Sequence, residues 1–172
     1  MSRVRSRCGS ARTLAALTNG MTKTKTRNEV VFKVALKGRR VWRTIAMRGD
    51  HTLEHLHEEI FHAFDRFDDH LYSFYFPKAP RHRGALVRSR EYVSRWSLEE
   101  SEATDRTFNA ASATIDMLNL KVGQTFEYLF DYGDSWWHQI EIVRFGPTVA
   151  GRRYPTILEK HGRSPKQYPD VE

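Results

Sequence analysis

Residues 124–143 constrain this chain more than any other stretch. Phe126, Tyr128, Phe130 and Tyr132 alternate with Thr125, Glu127, Leu129 and Asp131; Trp136, His138, Ile140 and Ile142 alternate with Trp137, Gln139, Glu141 and Val143. A period of two places each set on one face of an extended strand. Between the runs lies the polar turn Asp131-Tyr132-Gly133-Asp134-Ser135, in which Gly133 is the natural residue for a positive φ and the aspartates tolerate turn geometry. The stretch therefore reads as an antiparallel hairpin of β-prone residues, four aromatics lining one face of its first strand.

The turn has two readings. Asp131, Asp134 and His138 set a carboxylate pair beside an imidazole, a group able to bind a divalent cation or to move protons, as a metal-binding protein or a hydrolase-type enzyme would require. The plainer reading has the two aspartates accepting hydrogen bonds from the turn amides, Trp136 anchoring the core and His138 half-buried. Short motifs on their own favour the plainer one. The sequence contains no Gly-rich phosphate loop, no nucleophile elbow and no Cys-based zinc pattern, its single Cys8 standing alone.

The run Phe130-Asp131-Tyr132-Gly133-Asp134-Ser135-Trp136-Trp137-His138-Gln139-Ile140 resembles the signature of the plasmid pRiA4b ORF-three-like family. The resemblance spans about residues 29–170. It takes in Trp42-Arg43, Leu56-His57-Glu58-Glu59-Ile60, the run from His70 to Phe76, and Leu120-Lys121-Val122-Gly123. It implies a bacterial domain of plasmids and mobile elements with no established activity. It also adds His57 and His70 to Asp131, Asp134, Trp136 and His138 as candidate binding residues. Many members carry Cys near a Pro-rich end; Arg163-Ser164-Pro165-Lys166-Gln167-Tyr168-Pro169-Asp170 has none, so no Cys-dependent metal site is implied.

Net charge separates the chain into two parts. Residues 1–28 hold Arg3, Arg5, Arg7, Arg12, Lys23, Lys25 and Arg27 and no acid. Removing those seven from the 28 Lys and Arg leaves 21, equal to the 21 Asp and Glu, so the excess of +7 belongs to the tail. The pI near 9.7 is therefore no sign of a basic face on the folded part. The tail reads as a basic, flexible extension, with Met21 an alternative start; a phosphate-binding arm and an organellar transit peptide are the other readings. Residues 29–172, within a chain that is 40% hydrophobic, are long enough for one domain with a real core. No apolar run approaches the roughly 20 residues that span a bilayer. A cytoplasmic protein is expected, with no membrane partner.

Elsewhere the pattern alternates between strand and helix. Residues 30–36 and 41–47 read as a hairpin around Gly38, with Trp42 in the core. Residues 52–66 read as the principal helix, capped by Thr52 or Asp50, with Leu53, Leu56, Ile60, Phe61 and Phe64 as its apolar stripe. His51, His55 and His62 fall on a polar face, and His57 to His62 is one residue too long for a zinc-protease pair, so a solvated face is expected. Residues 70–76 read as a strand stopped by Pro77, whose His70 is either a site residue or tied to a loop carbonyl. Residues 78–111 read as a long irregular excursion with a short strand near Tyr92-Val93. Within it Arg81, His82, Arg83, Arg88, Arg90 and Arg95, with Tyr92 and Trp96 interleaved, form the one patch of the body suited to nucleic acid, although the nearby acids and the zero net charge of the body favour a solvated loop. A short strand at 113–115 and a helical turn at 116–119 lead into the hairpin.

The expected fold is α+β: a mainly antiparallel sheet with one principal helix packed on it, in a single domain behind a flexible N-terminal tail. The expected function is a non-enzymatic binding or accessory module with no cofactor and no metal. Its partner is unidentified, a protein or a nucleic acid. A metal-binding or hydrolase-type protein, and a nucleic-acid binder using the tail and residues 81–96, are the alternatives.

Overall fold

The computed structural model describes residues 28–77, 89–100 and 104–168. Eight strands, β1 (Asn28–Leu36), β2 (Trp42–Arg48), β3 (Tyr72–Phe76), β4 (Arg90–Val93), β5 (Thr107–Asn109), β6 (Thr125–Phe130), β7 (Trp136–Pro147) and β8 (Thr156–His161), form one sheet in the order β5-β4-β3-β6-β7-β1-β2-β8. All pairings are antiparallel except β4 with β5. The fold is the expected mainly antiparallel α+β arrangement. β1 already begins at Asn28, and the tail before it lies outside the described residues. Among the described residues no helix is long and apolar enough to cross a membrane.

One face of the sheet carries the core. Val30, Phe32, Val34 and Leu36 from β1, Phe74 and Phe76 from β3, Phe126, Tyr128 and Phe130 from β6, and Ile140 and Ile142 from β7 lie together under α1 (Leu53–Ala63). The helix answers with Leu53, Leu56, Ile60 and Ala63, the i, i+3, i+7 stripe its sequence implies. Thr52 caps it: its hydroxyl accepts the His55 amide, and His55 Nδ1 takes the Thr52 amide in return, a capping box with an imidazole where Glu or Gln is usual. The helix stops at Ala63, three residues short of expectation, because Phe64 leaves helical geometry and Asp65 turns the chain at φ 55°.

Several expectations need correcting. Trp42 is half-buried, stacked on His161 at 5.1 Å, while its neighbour Arg43 is only 2% exposed. The period of two explains the exchange: Arg43 shares its face with Ile45 and Met47, so the core side falls to the arginine. Its guanidinium is satisfied by the carbonyls of Ala63 (2.7 Å), Trp42 (2.8 Å), His161 (2.9 Å) and Gly162 (3.2 Å) and by Ser164 Oγ (2.7 Å), which joins the helix end to the C-terminal segment.

The described part of residues 78–111 is regular: β4, α2 (Arg95–Glu100), β5 and a 3-10 turn at Ala110–Ser112. Thr114 forms an isolated bridge with Thr52 in place of a strand, and a 3-10 turn follows at Ile115–Leu118. Residues 156–161, where no strand was anticipated, form the edge strand β8.

Candidate functional site

The hairpin tip is built by Asp131. Its amide donates to the Leu71 carbonyl, and its Oδ1 accepts the amides of Gly133 (3.0 Å) and Asp134 (3.2 Å). Asp131 and Ser135, at φ 58° and 54°, turn the chain, and Gly133 does not take the expected positive φ. A carboxylate that hydrogen-bonds the amides ahead of it holds the left-handed conformation by itself, which leaves that work undone for glycine. This early turn also takes Tyr132 out of the aromatic row: β6 ends at Phe130, and Tyr132 is 44% exposed. Asp134 is exposed.

Behind the tip, His138 occupies an inward position of β7, directly opposite Tyr128 on β6 and Leu36 on β1. It is buried, not half-buried. Its Nδ1–H donates to the Trp136 carbonyl at 2.9 Å, and its ring meets Phe64 edge-on at 4.7 Å. Burial, aided by the positive charge of Arg66, pushes its pKa down to about 3. Trp136 is half-buried and carries the Arg66 guanidinium over its ring at 3.9 Å.

His57 lies under the same sheet. Its Nδ1 shares a 2.7 Å hydrogen bond with the Tyr128 hydroxyl, and its ring stacks on Tyr72 at 3.7 Å. Burial, with His62 adding a smaller effect, pushes its pKa down to about 3 as well. His70 is different in kind, being partly exposed. Its Nε2 donates to the Tyr168 hydroxyl (2.7 Å), which itself donates to Asp68, and stands 3.7 Å from Asp131 Oδ2. The partner of His70 is thus a side chain of the C-terminal segment and not a loop carbonyl.

The six candidate residues therefore separate. His57 and His138 form an interior pair bridged by Tyr128; buried Asp131 and the more exposed His70 meet at the rim with Asp68 and Tyr168. Trp136 packs on Arg66, and Asp134 is exposed in the cleft beside Trp136. Among the described residues, no group of three or more His, Cys, Asp or Glu side chains is placed to hold a metal ion. Of the remaining helix histidines, His51 is buried and His55 is spent in the cap, which leaves His62 on the solvated face. Arg81, Arg83 and Arg88 lie outside the described residues. Arg90 is exposed at the start of β4, Arg95 pairs with Glu99 at 3.0 Å, Trp96 is exposed and Tyr92 is a core residue.

Three clefts open around this end of the sheet. A cavity of about 450 Å³ lies over His57 and Tyr72, edged by Glu54, Glu58, Asp69 and Trp96. One of about 580 Å³ runs from the hairpin tip at Asp134, Ser135, Trp136 and Trp137 to Lys37 and Arg39. The largest, about 1050 Å³, shares Arg39 and is lined further by Arg40, Asp65, Phe67, Arg163, Lys166 and Tyr168. Sequence reasoning missed this basic cleft, because its arginines come from the β1–β2 turn and the C-terminal segment, over 120 positions apart in the chain. Only the fold brings them together.

The sequence pattern of a family described as plasmid pRiA4b ORF-3-like protein matches residues 28–169. The uncharacterised protein y4hQ of Sinorhizobium fredii is 30% identical over 116 residues, which cover 67% of this chain and 52% of that protein. The chain thus spans about half the length of that relative. A solved structure of a protein of unknown function, MM3350 from Methanosarcina mazei Go1, superposes with a TM-score of 0.62 at 20% identity, covering 80% of this chain and 71% of the other. That likeness establishes a shared fold.

Proposed function

We propose that this chain, which belongs to the plasmid pRiA4b ORF-three-like family, is a non-enzymatic binding module that takes an anionic ligand at the end of the sheet. In it the signature hairpin is scaffold, and the ligand surface is the basic cleft beside the tip. One observation carries the reading. The groups of the signature best suited to chemistry are committed internally: Asp131 Oδ1 to two turn amides, His138 Nδ1 to the Trp136 carbonyl, His57 Nδ1 to Tyr128. Two of the three imidazoles are buried and held neutral, which removes them as cationic or proton-transfer groups at neutral pH. Beside them opens a cleft with four cationic side chains against one carboxylate, Asp65. Clefts lined by one sign of charge concentrate counter-charged ligands.

Thermal melting in inorganic tripolyphosphate tests this reading. The melting temperature rises with ligand, as binding to the folded state requires, and the rise is lost in Arg39→Glu/Arg40→Glu. A melting temperature indifferent to tripolyphosphate, or raised equally in the variant, overturns it.

A further inference from the structure

The basic cleft has features that a general anion site does not need. Outside the tail the chain carries equal numbers of acidic and basic residues, yet Arg39, Arg40, Arg163 and Lys166 converge on this one cavity. Arg39, Arg40 and Arg163 are exposed, and none is paired with a described carboxylate. Two more guanidiniums flank it from beneath: Arg43, bonded to the Gly162 carbonyl and Ser164, and Arg66, which donates to the Pro165 carbonyl. Both are buried, at 2% and 6% exposure. Neither forms an ion pair with a described carboxylate, and Nε and Nη2 of Arg66 have no hydrogen-bond partner. Asp65, which also lines the cleft, is the carboxylate whose field acts on both guanidiniums. One carboxylate against two buried guanidiniums leaves a positive excess that is costly to bury. The positive potential it adds is compensated when an anion occupies the cleft.

The second feature is aromatic. Phe67 projects into solvent at 73% exposure beside Tyr168 at 41%, their rings edge to face at 5.8 Å. Both line the same cavity as the arginines. Water-exposed phenyl and phenol faces among unpaired guanidiniums make a stacking platform beside a phosphate track, the combination by which proteins hold single-stranded nucleic acid. Arg39 also borders the neighbouring cleft, where Lys37 lies over the Trp137 ring at 5.5 Å but is already paired with Glu127 at 2.7 Å.

The platform is also held in place. Gln167, buried at 1%, accepts the amides of Phe67 (3.0 Å) and Asp68 (3.2 Å) and donates to the Asp68 carbonyl (2.7 Å). Arg43 clamps residues 161–164 from the other side. A cleft fixed in advance loses little ordering entropy on binding. Its volume of about 1050 Å³ lies at the upper end of the range of ligand-binding clefts. Its concavity suits a flexible single strand better than a rigid duplex.

We propose that this cleft binds single-stranded nucleic acid, its phosphates on Arg39, Arg40, Arg163 and Lys166 and a base on Phe67 and Tyr168. The proposal rests on the binding-module reading given above and names the ligand of the same site. It is tested with the full chain, so that the basic tail is common to every sample. A fluorescein-labelled oligothymidylate of about 12 nucleotides, within the roughly 4–16 that one OB-fold covers, is titrated by anisotropy at several salt concentrations.

The expected results are binding that weakens with salt, at least tenfold weaker binding in Arg40→Glu/Arg163→Glu, and a salt slope lowered by about 1.4, or 0.7 for each lost phosphate contact. Phe67→Ala loses about tenfold in affinity at unchanged salt slope, as loss of stacking without loss of charge requires. Equal affinity in wild type and the charge-reversed variant overturns the proposal by assigning the contact to the tail. So does a duplex of the same length that competes as well as the single strand. If tripolyphosphate protects the fold through the cleft but the oligonucleotide binds no tighter than tripolyphosphate, the nucleic-acid inference fails and the binding module stands. If neither binds, both fail.

Discussion

His57 on α1 and Tyr128 on β6 share a 2.7 Å hydrogen bond across the helix–sheet interface, with Tyr128 fully buried opposite His138 on β7. This bond places His57 inside the core and satisfies it there. Tyr128→Phe leaves His57 Nδ1 buried without a partner and is expected to cost about 1–3 kcal/mol, the penalty for an unmet buried polar group. Urea denaturation measures it; an unchanged midpoint contradicts the structural role of the pair.

The same interior predicts a pH dependence. His57 and His138 titrate at about 3 in the folded chain, below the roughly 6.5 of an unfolded imidazole. Between those values the unfolded state binds more protons, so their contribution is fully present above about pH 6.5 and is lost as pH falls towards 3. Each imidazole contributes a slope of up to about 1.4 kcal/mol per pH unit. Stability measured from pH 6.5 to 5, above most carboxylate titrations, is expected to drop steeply, and His138→Asn is expected to show a shallower decline. A flat profile in that window contradicts neutral burial.

At the hairpin tip the expected costs run against the sequence pattern. Asp131→Ala removes the acceptor of two turn amides and leaves Ala at φ 58°, which costs about 1–3 kcal/mol. Asp131→Asn keeps the carbonyl oxygen and a residue tolerant of that φ and is expected to be nearly neutral. Gly133→Ala brings a Cβ to a tight 3.3 Å from Asp131 Oδ1 but at an ordinary φ, and is expected to cost less than Asp131→Ala. A severe Gly133→Ala with a mild Asp131→Ala reverses the assignment.

Arg43 supplies a third kind of test. Arg43→Leu fits the apolar row of β2 but strips the carbonyls of Ala63, His161 and Gly162 of their donor, so a loss of at least about 3 kcal/mol is expected. Arg43→Lys is expected to rescue little, because one ammonium cannot reproduce the planar fork. Full rescue by lysine, read in the same denaturation experiment, contradicts this geometry.

Local patterns carried most of the fold. The alternation at 125–130 and 136–142, the stripe Leu53, Leu56, Ile60, and the cap at Thr52 are short-range signals, and each appears in the structure with its boundary moved by a few residues. Illegible were the features that depend on distant partners. Arg43 reads as a surface residue until β8 and the end of α1 bring carbonyls to it, and β8 itself has half-exposed and exposed residues throughout, with no alternation to announce it. The position of Tyr128 between two histidines follows from the β6–β7 register, which the hairpin fixes but the composition of neither strand displays. The basic cleft is the extreme case, since Arg39 and Arg163 meet only after every strand between them is placed.

The division between scaffold and ligand surface is tested most directly by calorimetric titration of inorganic tripolyphosphate into three full-length chains: wild type, Arg39→Glu/Arg40→Glu, and His70→Ala/Asp131→Asn. The expected result is at least tenfold weaker binding in the arginine variant and wild-type affinity in the signature variant. Affinity lost with His70 and Asp131 but retained without the two arginines contradicts it and returns the site to the hairpin tip.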